Sequence, residues 1–138
     1  MSNIERTGVR SLAYSRWHRP ASIRRFLNGD WRLADSLCMI DVDACEFCKQ
    51  CSTPLALIET QVSRHRPKDA RVLSVLARMA GVRAFSVSVA LTDDEPEGFL
   101  VRQLVPASDW VEAMTPTEYA QFLVGLRAAH VCEVQAVA

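Results

Sequence analysis

Acidic and amide side chains interrupt two apolar segments near the middle of the chain. Asp41 and Asp43 lie within residues 37–47, and Glu59 and Gln61 end the apolar run at residues 55–61. Because side chains alternate along a strand, each pair shares one face of its segment. In an antiparallel hairpin whose paired residue numbers sum to 102, Asp43 faces Glu59 and Asp41 faces Gln61. Three carboxylates this close repel one another, which favours a divalent cation with oxygen ligands such as Mg²⁺. The alternative is a solvated hairpin face.

Three cysteines stand between these segments, at the spacing Cys45-x-x-Cys48-x-x-Cys51. Loop thiolates at this spacing can converge on one tetrahedral Zn²⁺, but such sites have four ligands, and His65, His18 and Cys38 are the candidates for the fourth. Free thiols that pack the hairpin tip, redox chemistry and an iron–sulfur cluster with an outside ligand are the alternatives. Cys38 and Cys132 are predicted to be ordinary small core residues.

Other kinds of site have little support in the sequence. No serine lies in a Gly-x-Ser-x-Gly elbow, and no glycine-rich phosphate loop is present. His18 is predicted to make a local hydrogen bond rather than to act as a base. Acyl-hydrolase and nucleotide-binding functions of these kinds are therefore not predicted.

Charge is distributed unevenly along a chain whose net charge is zero. Residues 1–34 carry seven arginines against two acids, whereas residues 92–138 carry eight acids against two arginines. Arginine binds phosphate through paired hydrogen bonds, and the interleaved aromatic residues could stack on bases, so the first segment is a candidate DNA-binding surface. Its predicted contacts are Arg16, Arg19, Arg24 and Arg25. Pairing of these arginines with the acidic third of the chain, or simple solvation, is the alternative.

Hydrophobic periodicity predicts the elements that position these residues. Helices are expected at residues 20–28, from Pro67 to just before a capping Gly81, and from Thr115 to about His130, the last with a capping box. The second of these helices is expected to bury a stripe made of Val72, Leu73, Leu76 and Met79. Strands are expected at residues 37–47, 55–61, 85–91 and 99–105, with the last two paired. The order predicts one α/β (α+β) domain over residues 1–138, with a mixed central sheet flanked by helices and an acidic, cysteine-rich hairpin at residues 38–61.

Four short runs resemble the PD-(D/E)xK nuclease superfamily, which includes restriction endonucleases and Holliday-junction resolvases. They are Tyr14-Ser-Arg-Trp-His-Arg19, Met39-Ile-Asp-Val-Asp43, Pro54-Leu-Ala-Leu-Ile-Glu59 and Met114-Thr-Pro-Thr-Glu-Tyr119. They are similar to runs in small phage- and bacterium-encoded members, and the resemblance spans most of the chain. It implies a restriction-endonuclease-like core.

The resemblance also implies roles for the acidic residues. Asp43 or Asp41, together with Glu59, would bind Mg²⁺, and Gln61 occupies the place that lysine usually holds in the motif. Gln61 cannot supply the positive charge of a lysine, so a slow or inactive nuclease fold is an open alternative. The predicted catalytic residues are Asp41, Asp43, Glu59 and Gln61.

Two functions follow as hypotheses. The first is a Mg²⁺-dependent endonuclease or resolvase-like phosphodiesterase that acts on DNA. The second is a binding module for protein or nucleic acid without turnover, with a zinc site at the hairpin tip. No apolar run approaches the length of a membrane span and no secretory signal is visible, so a cytoplasmic protein without a membrane partner is expected. A homodimer is a further expectation of the resemblance.

Overall fold

The computed structural model describes residues 27–36, 42–63 and 70–133. The chain divides into two compact units, Met1–Asp41 and Val42–Ala138. In the described part of the first unit, helix α1 spans Trp31–Asp35, and the Asp30 carboxylate caps it by accepting a hydrogen bond from the Leu33 N–H. Residues 27–29 form a turn, and the rest of the helix predicted at residues 20–28 lies outside the described residues. The four arginines predicted to contact DNA lie outside them too.

The second unit contains a mixed five-stranded sheet and two helices. Its elements are β1 (Ala44–Phe47), β2 (Pro54–Val62), α2 (Arg71–Ala80), β3 (Arg83–Thr92), β4 (Glu95–Val105), β5 (Val111–Met114) and α3 (Pro116–Ala128). The strands lie in the sheet in the order in which they occur in the chain. Strands β2 and β3 are parallel with α2 as their crossover, and the other neighbouring strands are antiparallel. The prediction of a mixed central sheet flanked by helices is confirmed.

Pairing between β1 and β2 follows the register assumed from the sequence. Ala44 pairs with Ile58 and Cys45 pairs with Leu57, so the numbers of each pair sum to 102. The register shifts between Glu46 and Phe47, where the strand approaches the turn. Strand β1 is shorter than predicted, because Val42 and Asp43 precede it and residues 37–41 lie outside the described part of the chain.

The two helices of this unit cover opposite faces of the sheet. Ile58 of β2 and Phe85 of β3 pack in one cluster with Leu126 of α3, whereas Leu57 and Ala84 pack in another cluster with α2. Successive strand residues point to opposite faces, so these neighbours belong to different layers. Helix α3 buries its apolar stripe as predicted, and the partly buried members of that stripe are Tyr119, Phe122 and Leu123. The packing of α3 against the sheet thereby determines where the chain lies after the helix ends at Ala128.

The stripe predicted for α2 is wrong in most of its members. A helix with a glycine cap is confirmed, with Gly81 in the left-handed conformation at φ 69°, but the helix begins at Arg71, and Pro67 lies outside the described residues. However, its buried residues are Leu73 and Ala77, whereas Val72, Leu76 and Met79 are exposed, Met79 by 82%. Apolar residues occupy two adjacent stripes of this short helix, and alanine fits closer to the sheet than leucine or methionine does. Contact with β2 and β3 therefore selects the stripe that contains Ala77.

Helix α3 begins at a capping box that the sequence predicted. The Thr115 hydroxyl accepts a hydrogen bond from the Glu118 N–H at 3.2 Å, and the Glu118 carboxylate accepts one from the Thr115 N–H at 3.4 Å. We expect Thr115→Ala to lower the free energy of unfolding by about 1 kcal/mol, because an N–H of the first turn loses its acceptor. Urea denaturation measures this change. Thr117→Ala, an exposed position of the same turn, is the control. An equal loss in both variants would show that the cap contributes nothing.

None of the helices in residues 27–36, 42–63 and 70–133 combines the length and the apolar composition that a membrane crossing requires.

Candidate metal centre

The predicted acidic site is only partly within the described residues. Asp41 lies outside them, whereas Asp43 is exposed and its Oδ2 accepts hydrogen bonds from the N–H and the hydroxyl of Thr60, at 2.8 and 3.1 Å. Glu59 precedes Thr60 and points to the opposite face of β2, as strand alternation requires. The Asp43 carboxylate therefore contacts the backbone and the side chain of Thr60, and the Thr60 side chain lies on the face of β2 away from Glu59.

Gln61 lies on the same face of the sheet as Glu59. Its amide nitrogen donates a hydrogen bond to the Ser88 hydroxyl at 3.2 Å, and Gln61 and Ser88 are register partners in the parallel pair of β2 and β3. Leu57, two residues before Glu59, packs against α2. Glu59 and Gln61 thus lie on the same face of the sheet as Leu57, which is the face that α2 covers, and they form its polar end.

A second group of possible ligands is formed by three cysteines and one histidine. Their ligand atoms all lie within 4.8 Å of one another, and the group consists of Cys48, Cys51, His130 and Cys132. Among the described residues, this is the group of His, Cys, Asp or Glu side chains whose ligand atoms lie close enough together to hold one metal ion. Cys48 and Cys132 are buried, whereas Cys51 and His130 are half-buried. All four residues belong to the second unit of the chain.

Two of these ligands lie in the tight turn that joins β1 to β2. The turn is closed by two backbone hydrogen bonds, from the Cys48 N–H to the Thr53 carbonyl at 2.9 Å and from the Ser52 N–H to the Cys48 carbonyl at 2.7 Å. Ser52 adopts a left-handed conformation with φ 62°, which lets the chain reverse directly after Cys51. The turn therefore holds the side chains of Cys48 and Cys51 on the same side.

The other two ligands follow the last described helix. Helix α3 ends at Ala128, and the His130 N–H still donates a hydrogen bond to the Arg127 carbonyl at 3.2 Å. Because Leu126 is buried against the sheet, the end of α3 has a defined position. The backbone at residues 130–132 then brings an imidazole and a thiol to the turn between β1 and β2, 79 to 84 positions away in sequence.

Two of the distances within the group match those around a single tetrahedral zinc ion. With Zn–S bonds of about 2.3 Å and Zn–N bonds of about 2.0 Å, tetrahedral geometry places two sulfur atoms about 3.8 Å apart and a sulfur and a nitrogen about 3.5 Å apart. The Sγ atoms of Cys48 and Cys132 are 3.8 Å apart, and Cys51 Sγ lies 3.4 Å from His130 Nε2. Three thiolates and one imidazole are a common ligand set of structural zinc sites.

The surroundings of Cys48 favour the thiolate, which is the form that binds metal. Hydrogen bonds from the Cys51 N–H and the Gln50 N–H, together with contacts to the thiol groups of Cys51 and Cys132, lower the pKa of Cys48 to about 6, although burial acts in the opposite direction. The lowered pKa makes the thiolate of Cys48 easier to form than that of an ordinary cysteine. Cys51 has a polar neighbour of its own, since its Sγ lies 3.0 Å from the Thr53 hydroxyl oxygen.

The structure differs from the sequence prediction in the ligand set. Cys48 and Cys51 belong to the group as predicted, but Cys45 is exposed on β1, where its thiol lies 3.7 Å from the Glu46 carbonyl, and it is not a member. Cys132, predicted to be an ordinary core residue, is buried and is a member. The fourth ligand candidates His18, Cys38 and His65 lie outside the described residues.

One signal in the sequence could have indicated the missing ligands. A His-x-Cys pair at residues 130–132 directly follows an amphipathic helix, and a second cysteine pair with metal-ligand spacing lies at residues 48–51. Residue spacing alone cannot show that the two pairs meet, because their approach depends on the path of α3 across the sheet.

Comparison with known proteins adds no relative that would identify the chain. No family model, no curated protein and no solved structure matches it.

Proposed function

We propose that this protein is a zinc-stabilised binding module, in which one Zn²⁺ is held by Cys48, Cys51, His130 and Cys132. The observation that carries the proposal is the convergence of these four donors, from two distant parts of the chain, at separations suited to one ion. The metal would tie the turn between β1 and β2 to the end of α3. Its role is to hold together two segments that are distant in sequence.

The ligand set supports a structural rather than a catalytic zinc ion. Catalytic zinc sites have three protein ligands and keep one position open for water or substrate, whereas structural sites are closed by four. Here three sulfur atoms and one nitrogen complete the tetrahedron, and two of the ligands are buried. The site therefore offers no position at which a substrate could bind the metal.

The alternatives for the cysteines fit the distances less well. The ligands of an iron–sulfur cluster are distributed over two or more iron ions, so they lie farther apart than the ligands of a single ion. All four donor atoms of this group lie within 4.8 Å of one another, which favours a mononuclear site. Free thiols that only pack the hairpin tip do not account for the imidazole nitrogen directed at Cys51 Sγ.

We expect the reduced protein to bind one Zn²⁺ per chain, and native mass spectrometry measures this stoichiometry. Substitution of Co²⁺ for zinc gives the visible absorption bands of a tetrahedral ion, together with a thiolate charge-transfer band whose intensity reports the number of bound sulfur atoms. Cys51→Ser is expected to weaken this band, and His130→Cys is expected to strengthen it while metal binding is retained.

Cys45→Ser is the matched control, because Cys45 is exposed and lies outside the group of four. It should leave both the metal content and the cobalt spectrum unchanged. A protein that takes up no metal in the presence of excess Zn²⁺ and a reductant would refute the proposal. Metal binding that requires Cys45 but not Cys132 would favour the ligand set predicted from sequence.

A DNA-cleaving enzyme is the second candidate function, and one observation favours it. The register of β1 and β2 is the one on which the predicted site depends, since the residue numbers of the pair Ala44 and Ile58 sum to 102. Against it stand the hydrogen bonds of Asp43 with Thr60 and the absence of lysine at position 61. The Arg-rich residues 1–34 support DNA as the ligand under either function.

Cleavage assays on supercoiled and branched DNA with Mg²⁺ or Mn²⁺ distinguish the two candidates. If the protein is a nuclease, we expect Glu59→Gln to lower the cleavage rate by more than the roughly 10- to 100-fold that loss of an outer-shell partner costs. Glu112→Gln, an exposed acid of β5, is the control. DNA binding without cleavage would leave the binding module as the function, and cleavage that survives Glu59→Gln would exclude the predicted site.

A further inference from the structure

We infer that Cys51 is an oxidation site through which peroxide releases the metal, with Cys48 as the partner that forms the disulfide. This inference rests on the proposed zinc site and adds a regulation to it.

Exposure distinguishes Cys51 from the other cysteine ligands. Cys48 has no exposed surface and Cys132 is 5% exposed, whereas Cys51 is only half-buried. Among the three cysteines of the group, Cys51 is therefore the residue most accessible to a small oxidant from solvent. Susceptibility of a cysteine to oxidation depends on thiolate character together with such access.

A second thiol lies close enough to complete the reaction. Cys48 Sγ lies within 4.8 Å of Cys51 Sγ and is hydrogen-bonded to the thiol and the backbone N–H of Cys51. Cys48 and Cys51 are also in one turn, so their sulfur atoms can approach without movement of a strand or a helix. Cys132, 3.8 Å from Cys48, belongs to a different segment and is the competing partner.

The proposed reaction uses hydrogen peroxide as the two-electron oxidant. Cys51 sulfur attacks one peroxide oxygen, the O–O bond breaks, and hydroxide leaves, which gives a sulfenic acid. Cys48 thiolate then attacks the Cys51 sulfur, the S–S bond forms, and the S–O bond breaks with loss of a second hydroxide. The two cysteines lose two electrons, the peroxide gains two, and two protons from solvent convert the hydroxides to water.

Release of the metal follows from the loss of ligands. After the reaction only His130 and Cys132 can bind Zn²⁺, and two protein ligands do not retain the ion of a four-ligand site. The end of α3 then loses its connection to the turn between β1 and β2. Reduction of the disulfide restores both thiols, so the change is reversible in the presence of Zn²⁺ and a reductant.

The experiment begins with zinc-loaded protein freed of reductant, and its metal content is measured before peroxide is added. Hydrogen peroxide is then added with a colorimetric zinc chelator, and peptide mapping locates the disulfide. We expect loss of all bound zinc, loss of two thiols per chain, and a disulfide between Cys48 and Cys51. In a parallel sample a sulfenic-acid trapping reagent is expected to label Cys51.

Two variants separate this inference from nonspecific oxidation. Cys51→His keeps four ligands but removes the most accessible of the cysteine ligands, so the variant is expected to bind zinc and to retain it in peroxide. Cys45→Ser removes the exposed cysteine outside the site and should release zinc like the wild type. Zinc loss from Cys51→His at the wild-type rate, a trapped sulfenic acid at Cys45, or a disulfide between Cys48 and Cys132 would each overturn the inference.

The labelling experiment on the wild type stands even if Cys51→His fails to bind zinc, because it identifies the first sulfur oxidised. Failure of the proposed function gives a different result from failure of the inference. A chain without zinc before peroxide is added refutes the metal site itself, whereas a zinc-loaded chain that keeps its metal in peroxide refutes only the oxidation.

Discussion

Cys48→Ser is expected to abolish tight zinc binding and to cause the largest loss of stability among the single substitutions considered for this protein. Cys48 is completely buried, lies 3.8 Å from Cys132 and accepts hydrogen bonds from the N–H groups of the turn. Serine keeps the size of the side chain but does not supply a thiolate. Binding of structural Zn²⁺ contributes an apparent free energy on the order of 10 kcal/mol in small domains, and that contribution is available only to the folded state.

Thermal unfolding in the presence of Zn²⁺, together with metal analysis, measures this effect. We expect the melting temperature of Cys48→Ser in zinc to equal that of the metal-free wild type, and addition of a chelator to change it little. Cys45→Ser should behave like the wild type in both conditions. Retention of a full equivalent of zinc by Cys48→Ser would show that the proposed site is wrong.

Leu126→Ala is expected to have the second largest effect. Leu126 is 4% exposed and joins α3 to the core residues of β2 and β3, among them Ile58 and Phe85. Truncation of a buried leucine removes its transfer free energy and leaves a cavity, which together cost about 2–5 kcal/mol. Because this residue lies four positions before His130, its loss also weakens the placement of two metal ligands.

Chemical denaturation of the metal-free and zinc-bound forms separates the two consequences. We expect Leu126→Ala to lower the free energy of unfolding in both forms and to weaken zinc binding as well. Val124→Ala, on the same helix but 68% exposed, should change stability by no more than about 0.5 kcal/mol. Equal destabilisation by the two substitutions would contradict the packing of α3 described above.

Local signals in the sequence predicted most of the fold. The Thr115 capping box, the Gly81 cap and the pairing of β3 with β4 depend on residues close to one another in the chain, and the structure confirms each of them. Strand β5 was missed because a four-residue segment contains too few residues to establish an alternating pattern. The buried stripe of α2 was misassigned because its apolar residues cover more than one face, and only contact with the sheet distinguishes between them.

The candidate site was predicted less completely, for a similar physical reason. The thiols of Cys48 and Cys51 lie in a turn whose spacing indicates metal binding by itself. The membership of His130 and Cys45 depends on tertiary structure. Cys45 lies on β1, before the register shift between Glu46 and Phe47, and is separated from the turn. Helix α3 brings His130 and Cys132 to the turn from a distant part of the sequence. The predicted magnesium site depends in part on Asp41, which lies outside the described residues, so it stays a prediction.

The sequential order of the sheet has a consequence for how the protein is made. Each strand pairs with the strand synthesised just before it, so the sheet can grow as the chain leaves the ribosome. The four donors of the proposed zinc site do not share this property, because Cys48 and Cys132 are 84 positions apart. In the proposed zinc-bound form all four donors can hold the ion only after residue 132 has been synthesised, so metal capture would follow assembly of the sheet.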